Sequence, residues 1–303
     1  MRSGRLDDKS LRAWLAQSDL SLDPEPRELL ERLTSELGLP YSEEGLAALR
    51  MWGQTGDRPA VWIAAADPVY LEPRMDHLCL HALRGSGIPS SDLRPLFDHL
   101  QQTLADDQRY GFARFGSNGY LRASHPISTS NVPSYVVDGR EPGAFLPSGE
   151  HTAMHRNILS EIEMALHDHE VNLRRVEEGK QPVNSLWLWG GGTAPEKVTR
   201  PQPPLFADDP LLAGYWESAT AVSDVWPGDF AACAEASVHG FVAVTPESDQ
   251  RSVTLEAYLL ELRGLLRSRR LARLILLFRD GLRADVRRAR MLRFWRRDNE
   301  LLN

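Results

Sequence analysis

Two cysteines in 303 residues, Cys79 and Cys233, exclude a disulfide framework, and on their own they make no metal cluster. Neither is read with a histidine partner, which argues against thiol catalysis. Such sparing use of cysteine suits a reducing cytoplasm. No run approaches the roughly 20 apolar residues needed to cross a bilayer, so no membrane role is expected. The opening MRSGRLDDKSLRAWLAQ lacks an unbroken apolar stretch and a small-residue cleavage site, and it does not read as a secretory signal. There is no internal repeat. No nucleic-acid-binding motif is present, which makes nucleic acid an unexpected partner.

The composition is that of a globular protein, 42% hydrophobic and 25% charged. The net charge of −7 hides an asymmetry, because residues 251–303 hold fourteen arginines, six acids and no lysine. Apolar residues interleave those arginines at structural spacing. Basic faces turned to the protein's own acids or to water are therefore favoured over an external anionic partner.

Hydrophobic periodicity predicts an α/β fold, a mixed sheet flanked by helices with a helical N-terminal lead-in. Three regions are expected: a helical segment 1–58, an α/β region 59–182 ending in an amphipathic helix, and a C-terminal α/β region 183–303. In the first, Leu11, Trp14 and Leu15 form one stripe and Leu29, Leu30, Leu33 and Leu37 another. Asp23-Pro24-Glu25-Pro26 starts the second helix, and Gly53-Gln54-Thr55-Gly56-Asp57 reads as a turn. Strands are predicted over 60–66, stopping at Asp67-Pro68, and over 78–83, 111–115, 120–123 and 134–137. Helices are predicted over 92–106 and 255–267, with another opened by Asp208-Asp209-Pro210. Late strands are predicted at 241–244, 273–278 and 291–295.

The stretch around which the rest is organised is HDHEVNLRRVEEGKQPVNSLWLWGGGT, residues 167–193. Residues 154–178 carry Ile158, Ile162, Leu166, Leu173 and Val176 at helical spacing, with an interruption near Val171, and Gly179 stops the helix. After Gln181-Pro182 a buried strand runs over 183–189, and Gly190-Gly191-Gly192-Thr193 leaves it as a loop. Glycines there would let backbone N–H groups approach an anion, although a tight turn explains them as well. Trp187 and Trp189 share one face of the strand, where core packing is their commoner use.

This stretch resembles the cofactor-independent phosphoglycerate mutases of the alkaline phosphatase superfamily. Their segment reads H-P-V-N-x-x-R-x-x-x-G followed by A-N-x-x-W-L-W-G-x-G. Here His169, Val171, Asn172, Arg175, Gly179, Asn184, Trp187, Leu188, Trp189, Gly190 and Gly192 are in register, with Glu170 in place of the proline. The whole chain is still more similar to a shorter bacterial family, labelled either phosphoglycerate mutase or type E regulator of pathogenicity factors. That family's Ala-Asp-Pro-Val-His-Leu is matched by Ala66-Asp67-Pro68-Val69-Tyr70-Leu71. Its Trp-Arg-Phe-Trp-Arg ending is echoed by Leu292-Arg293-Phe294-Trp295-Arg296.

The resemblance implies two divalent metals held by Asp and His beside a Ser or Thr nucleophile, because phosphoryl transfer needs its charge neutralised. The family's early Asp-Gly-x-x-Asp run and late Asp-Gly-His run have no counterpart here: Asp138-Gly139 continues with Arg140, and Asp280-Gly281 with Leu282. No metal site and no cofactor is therefore assigned. The expected function is a mutase-like protein without the two-metal centre, a non-catalytic ligand-binding or regulatory protein.

Its ligand-binding candidates are His169, Asn172, Arg175, Asn184, Gly190, Gly191 and Gly192, suited to a small anionic ligand, with a protein partner as the other option. For the two asparagines and Arg175, buried hydrogen bonds tying helix to strand are an equal reading. His169 is either a site residue or a helix-end contact. His151 and His155 stand at metal-binding spacing, with Glu163 and Asp168 nearby, but surface histidines of a helix explain them more simply. The enzyme alternative is a divergent mutase or phosphomonoester hydrolase using Mn or Zn, with ligands such as Asp67, His125, Asp208 and Asp209. For these aspartates, capping next to proline is the commoner use.

Overall fold

The computed structural model describes residues 6, 8–23, 27–84, 87–106, 109–148, 152–196, 202–237, 239–246 and 251–288. The elements in the first part of the chain are α1 (Lys9–Ala16), β1 (Asp19–Leu22), α2 (Leu29–Leu37), α3 (Leu46–Thr55), β2 (Ile63–Pro73), β3 (Leu78–Ala82), α4 (Ser90–Leu104), β4 (Tyr110–Phe115), β5 (Asn118–Ala123) and α5 (Ser134–Val137). They are followed by α6 (Thr152–His167), α7 (Glu170–Glu177), β6 (Ser185–Gly192), β7 (Leu205–Ala207), α8 (Pro210–Ser218), β8 (Ser223–Asp224), α9 (Phe230–Ala236), β9 (Val242–Val244), α10 (Arg251–Arg267), β10 (Arg273–Leu277) and β11 (Leu282–Arg287). The mixed α/β class expected from periodicity is the class observed. Asp23's proline-rich neighbours at 24–26, His151, the strand expected at 291–295 and the Leu292–Arg296 echo lie outside the described residues.

Two compact units form. One comprises residues 1–39, 199–209 and 219–303, the other 40–198 and 210–218. The reason is strand pairing. The tryptophan strand β6 lies antiparallel to β2, with Asp67 opposite Trp187 and Val69 opposite Ser185, so 183–192 belongs with the middle of the chain. Within the first unit, β1 pairs with β11, so the N-terminal segment is not a purely helical lead-in.

In the larger unit, the sheet runs β3-β2-β5-β4 with β6 on the other side of β2. Its core follows from strand alternation. Ala64, Ala66, Leu121, Ala123, Leu186 and Leu188 face Leu93, Leu96, Phe97 and Leu100 of α4 and Ile158, Ile162 and Leu166 of α6. α3 packs against β2 and β6 and also against α8, where Gly53 and Gly214 permit contact: a Cβ on Gly214 would meet the Leu49 carbonyl oxygen at 1.9 Å. The hairpin β4–β5 forms as the glycines at 116 and 119 suggest, with Gly116 at φ +58°.

Several elements differ from expectation for identifiable reasons. β2 does not stop at Asp67-Pro68 but continues to Pro73. Pro68 lies where β2 changes partner, from β5 at residues 63–65 to β3 at 69–73, so its missing N–H breaks no rung there. Residues 134–137 are one turn of helix after Pro133 rather than a strand, with the Val136 N–H donating to the Pro133 carbonyl at 3.0 Å. Helix α3 runs on through Gly53 and Gln54 and ends at Gly56, φ +76°. The long helix expected over 154–178 breaks at Asp168 and His169, slightly before the predicted interruption.

The smaller unit holds an antiparallel sheet β1-β11-β10 and a parallel sheet β8-β7-β9. Leu11, Trp14 and Leu15 of α1, with Leu259, Leu262 and Leu266 of α10, close over Leu274, Leu282, Ala284 and Val286. Arginines of the basic end within the described residues are turned inward to their own unit. Arg273 and Arg287 both bind Asp285, Arg283 pairs with Glu36, and Arg270 pairs with Glu235.

Candidate functional site

The corner between α7 and β6 is built from polar side chains that saturate one another. Asn172, on the buried face of α7, donates through Nδ2 to the carbonyls of Leu166 (2.7 Å) and Val183 (2.8 Å), and its Oδ1 accepts from the Val183 N–H (2.8 Å). One amide thus ties the end of α6 and the start of the tryptophan strand to α7. Arg175, among the largest fully buried side chains, donates to Asp92 (2.9 Å), the Gln181 carbonyl (2.9 Å) and the Gly87 carbonyl (2.7 Å). Asn184 mimics a strand residue: its side chain accepts from Leu71 N–H at 2.7 Å and donates to the Leu71 carbonyl at 2.9 Å, continuing the ladder of β2.

His169 caps α7, its Nδ1 accepting from the Val171 N–H at 3.2 Å. Burial, and then the nearby His99 ring at 4.9 Å, push its pKa below the ordinary histidine value. These four residues do not meet at an open cleft. The donors of Asn172, Arg175 and Asn184 that form these bonds go to carbonyls and to Asp92, the partners that buried polar groups require.

On the opposite face of the sheet lies a constellation around Asp67, one of the ligands offered for the enzyme alternative. Asp67, expected to cap, sits mid-strand and buried. The Arg50 guanidinium donates to Asp67 Oδ1 at 2.7 Å and to the Gly119 carbonyl at 2.8 Å, while Ser134 Oγ and Trp189 Nε1 donate to Asp67 Oδ2 at 2.9 and 2.8 Å. Tyr120 and Trp189 flank the guanidinium, with ring centroids 4.7 and 5.2 Å away. Burial opposes ionisation of Asp67, but the charge and hydrogen bond of Arg50, helped by Arg84 and the Ser134 hydroxyl, outweigh it and hold the carboxyl below its usual range. Burial likewise disfavours the Arg50 cation, and the Asp67 charge more than restores it. The hint in the sequence was Arg50 on the apolar face of a helix, a position where an arginine needs a buried acid.

The glycines prove to be the end of β6 rather than a loop. Gly190 has φ +60° and its N–H donates to the Ser130 carbonyl at 2.8 Å, while the Gly191 N–H donates to Thr129 Oγ1 at 2.9 Å. A Cβ at Gly190 would meet Leu46 Cβ at 2.9 Å, and one at Gly191 would meet the Trp62 ring at 2.5 Å. They are glycines because neighbours press on the strand there, and the N–H groups of Gly190 and Gly191 are already engaged.

Gly191, Gly192 and Thr193 nevertheless form one wall of an open cavity of about 830 Å³, completed by Glu43, Glu44, Trp62, the 126–132 segment and the 144–148 segment. Its described lining includes two carboxylates and no lysine, arginine or histidine. A small anion is therefore not what this cavity's charge favours; a neutral or cationic polar ligand fits it better. Glu43 accepts from Asn131 Nδ2 at 2.6 Å, which fixes the rim.

Of the other expected residues, His125 is exposed beside Ser124, and Asp208 accepts from the Trp226 N–H. His155 is buried against the Ser128 backbone, and among the described residues neither ring nitrogen makes a hydrogen bond of ordinary geometry; burial lowers its pKa. Glu163, expected beside it, instead accepts from Ser185 Oγ at 2.9 Å.

Fold and site together define an α/β protein whose central helix–strand motif is a polar scaffold with a cavity at one end of its strand. Over 111 residues, 36% of the chain, it is 31% identical to the 2,3-bisphosphoglycerate-independent phosphoglycerate mutase of Methanosarcina barkeri, of which this covers 28%. It is 42% identical over 110 residues to mutase 2 of Methanothermobacter thermautotrophicus, covering 27% of that protein. With the probable mutase of Geobacter sulfurreducens it shares 28% identity over 135 residues, 33% of that protein. The matched segment thus spans about a third or less of each of these relatives. The PH0037 protein of Pyrococcus horikoshii shares the fold, with a TM-score of 0.50 over 86% of this chain and 70% of that one at 16% identity. No family model matches the chain. Over a little more than a third of its length, the chain is similar to named phosphoglycerate mutases.

Proposed function

We propose that this chain is a non-catalytic, ligand-binding or regulatory relative of the cofactor-independent phosphoglycerate mutases, working in the cytoplasm as the type E regulator label of the similar shorter family suggests. The observation that carries the reading is the state of Asp67. This carboxylate already takes one donor from a guanidinium 2.7 Å away and two on its other oxygen, three of its roughly four acceptor sites, and a divalent ion there would face the Arg50 charge. The residues at this position do not fit the two-metal group of the mutases, and no step is routed through one. What remains available for recognition is the cavity beside Gly191 and Gly192, with Glu43 and Glu44 selecting against anions.

The test is turnover. Purified protein with saturating manganese or zinc is expected not to interconvert 3-phosphoglycerate and 2-phosphoglycerate. Metal-dependent interconversion that disappears in Asp67→Asn would overturn the reading. The identity shared with named mutases supports the enzyme as second reading, and the same assay with a phosphomonoester substrate separates a hydrolase from a mutase.

A further inference from the structure

The mutase-like motif leaves the β2–β3 hairpin without a role, and its exposed end brings three unlike donors together. Glu72 and Cys79 are opposite residues of the antiparallel ladder, and His81 follows Cys79 by two, so strand alternation places all three side chains on one face. Their ligand atoms lie within 4.8 Å of one another. They are the one group of three or more such residues so placed among the described residues. The His81 ring is oriented twice over. Its Nε2 is 2.7 Å from Glu72 Oε2, and Tyr70, the residue opposite it on β2, stacks on it at 6.0 Å with planes 22° apart. The hairpin is anchored on its far edge, where Gly139 N–H donates to the Leu80 carbonyl and Leu80 N–H to the Arg140 carbonyl.

We infer that Glu72, Cys79 and His81 form a zinc site. A thiolate, an imidazole and a carboxylate are the donor set that a borderline-soft d¹⁰ cation takes, and hard cations such as magnesium or calcium would not choose the sulfur. Bond lengths of roughly 2.0–2.3 Å to nitrogen, oxygen and sulfur place tetrahedral ligands closer together than the present 4.8 Å limit, so binding draws the three side chains inward. Three protein ligands leave the fourth position open to water or to a donor from another molecule. One competitor is in place: the Arg74 guanidinium lies 2.7 Å from the Glu72 oxygen that His81 also contacts. Arg74 is half exposed, so it can swing away, and its charge weakens the site while it stays.

In the sequence Cys79 is read without a histidine partner, although His81 follows it by two. In a strand, Cys-x-His is the signal, since alternate residues share a face.

The experiment uses the full chain stripped of metal and titrated with cobalt(II), then zinc. Cobalt is expected to bind at one equivalent with a thiolate-to-cobalt charge-transfer band that zinc abolishes. Cys79→Ser removes the band and Cys233→Ser keeps it. His81→Gln and Glu72→Gln, on the more exposed side, weaken zinc binding at least about tenfold, the lower end of what losing even a supporting contact costs. Arg74→Gln tightens it. Absence of the band in the wild type overturns the assignment. So does a band that survives in Cys79→Ser or, should that variant not fold, unchanged zinc affinity in His81→Gln.

Discussion

The two ends of the tryptophan strand are built in opposite ways. At its start, Asn172, Arg175 and Asn184 form hydrogen bonds with carbonyls, backbone N–H groups and Asp92. At its finish, Gly191, Gly192 and Thr193 open onto a cavity of about 830 Å³. Both ends fall in the segment that resembles the mutases. The lesson is that likeness of a motif fixes how chain segments are joined before it fixes what they bind. Asparagine and arginine are good ligands for a phosphate and equally good ligands for a peptide carbonyl, and burial decides between them.

The comparison can be broken most severely at the ion pair behind the strand. Arg50→Ala leaves Asp67 buried without its cation and is expected to cost about 3–5 kcal/mol, the range for removing one partner of a buried pair, read as a fall in urea midpoint at unchanged slope. Next is Asn172→Ala, which strands the carbonyls of Leu166 and Val183 and the Val183 N–H. A loss of about 2–3 kcal/mol is expected, against about 0.5 kcal/mol or less for Thr193→Ala at the cavity rim. Equal small effects at both positions would erase the distinction between the two ends.

Acid sharpens the picture. The Asp285 carboxyl is held down to about 2, first by its hydrogen bond to Arg273 and then by Arg287, and Asp67 is held below its ordinary value. Since both folded-state values lie below the unfolded ones, their stabilisation is complete above the ordinary carboxylate range and is lost as pH falls through it toward the folded values. For Asp285, whose arginines are half exposed, roughly 1–2 kcal/mol should vanish between about pH 4 and about pH 2, and Asp285→Asn should lack that component. One change is expected to stabilise: His155→Leu replaces a buried ring whose nitrogens make no hydrogen bond of ordinary geometry among the described residues, and stability should rise by about 1 kcal/mol at neutral pH.

Much of this fold could be read in the sequence wherever one face of an element repeats. Leu93, Leu96, Phe97 and Leu100 marked α4, and Ile158, Ile162 and Leu166 marked α6, because helical period and burial agree there. What escaped was tertiary. Strand formers at 134–137 were folded into a helical turn after Pro133, with Ser134 reaching Asp67. The short strand β1 pairs only with β11, across most of the chain. At the site, the alternative reading of Asn172, Arg175 and Asn184 as ties between helix and strand was available from the motif, but no spacing rule tells a buried amide from an exposed one. Arg50 and Asp67 meet only through packing, and Cys79 and His81 come together with Glu72 only once β3 pairs with β2.

The central claim is that the motif's polar residues hold the chain together and do not hold a phosphorylated ligand. Its most direct test is equilibrium urea unfolding of the wild type, Asn172→Ala and Asn184→Ala, each with and without saturating 3-phosphoglycerate. The expected result is that both variants are destabilised by the same amount in either condition, with no stabilisation of the wild type by the ligand. Stabilisation of the wild type that disappears in the two asparagine variants would contradict it.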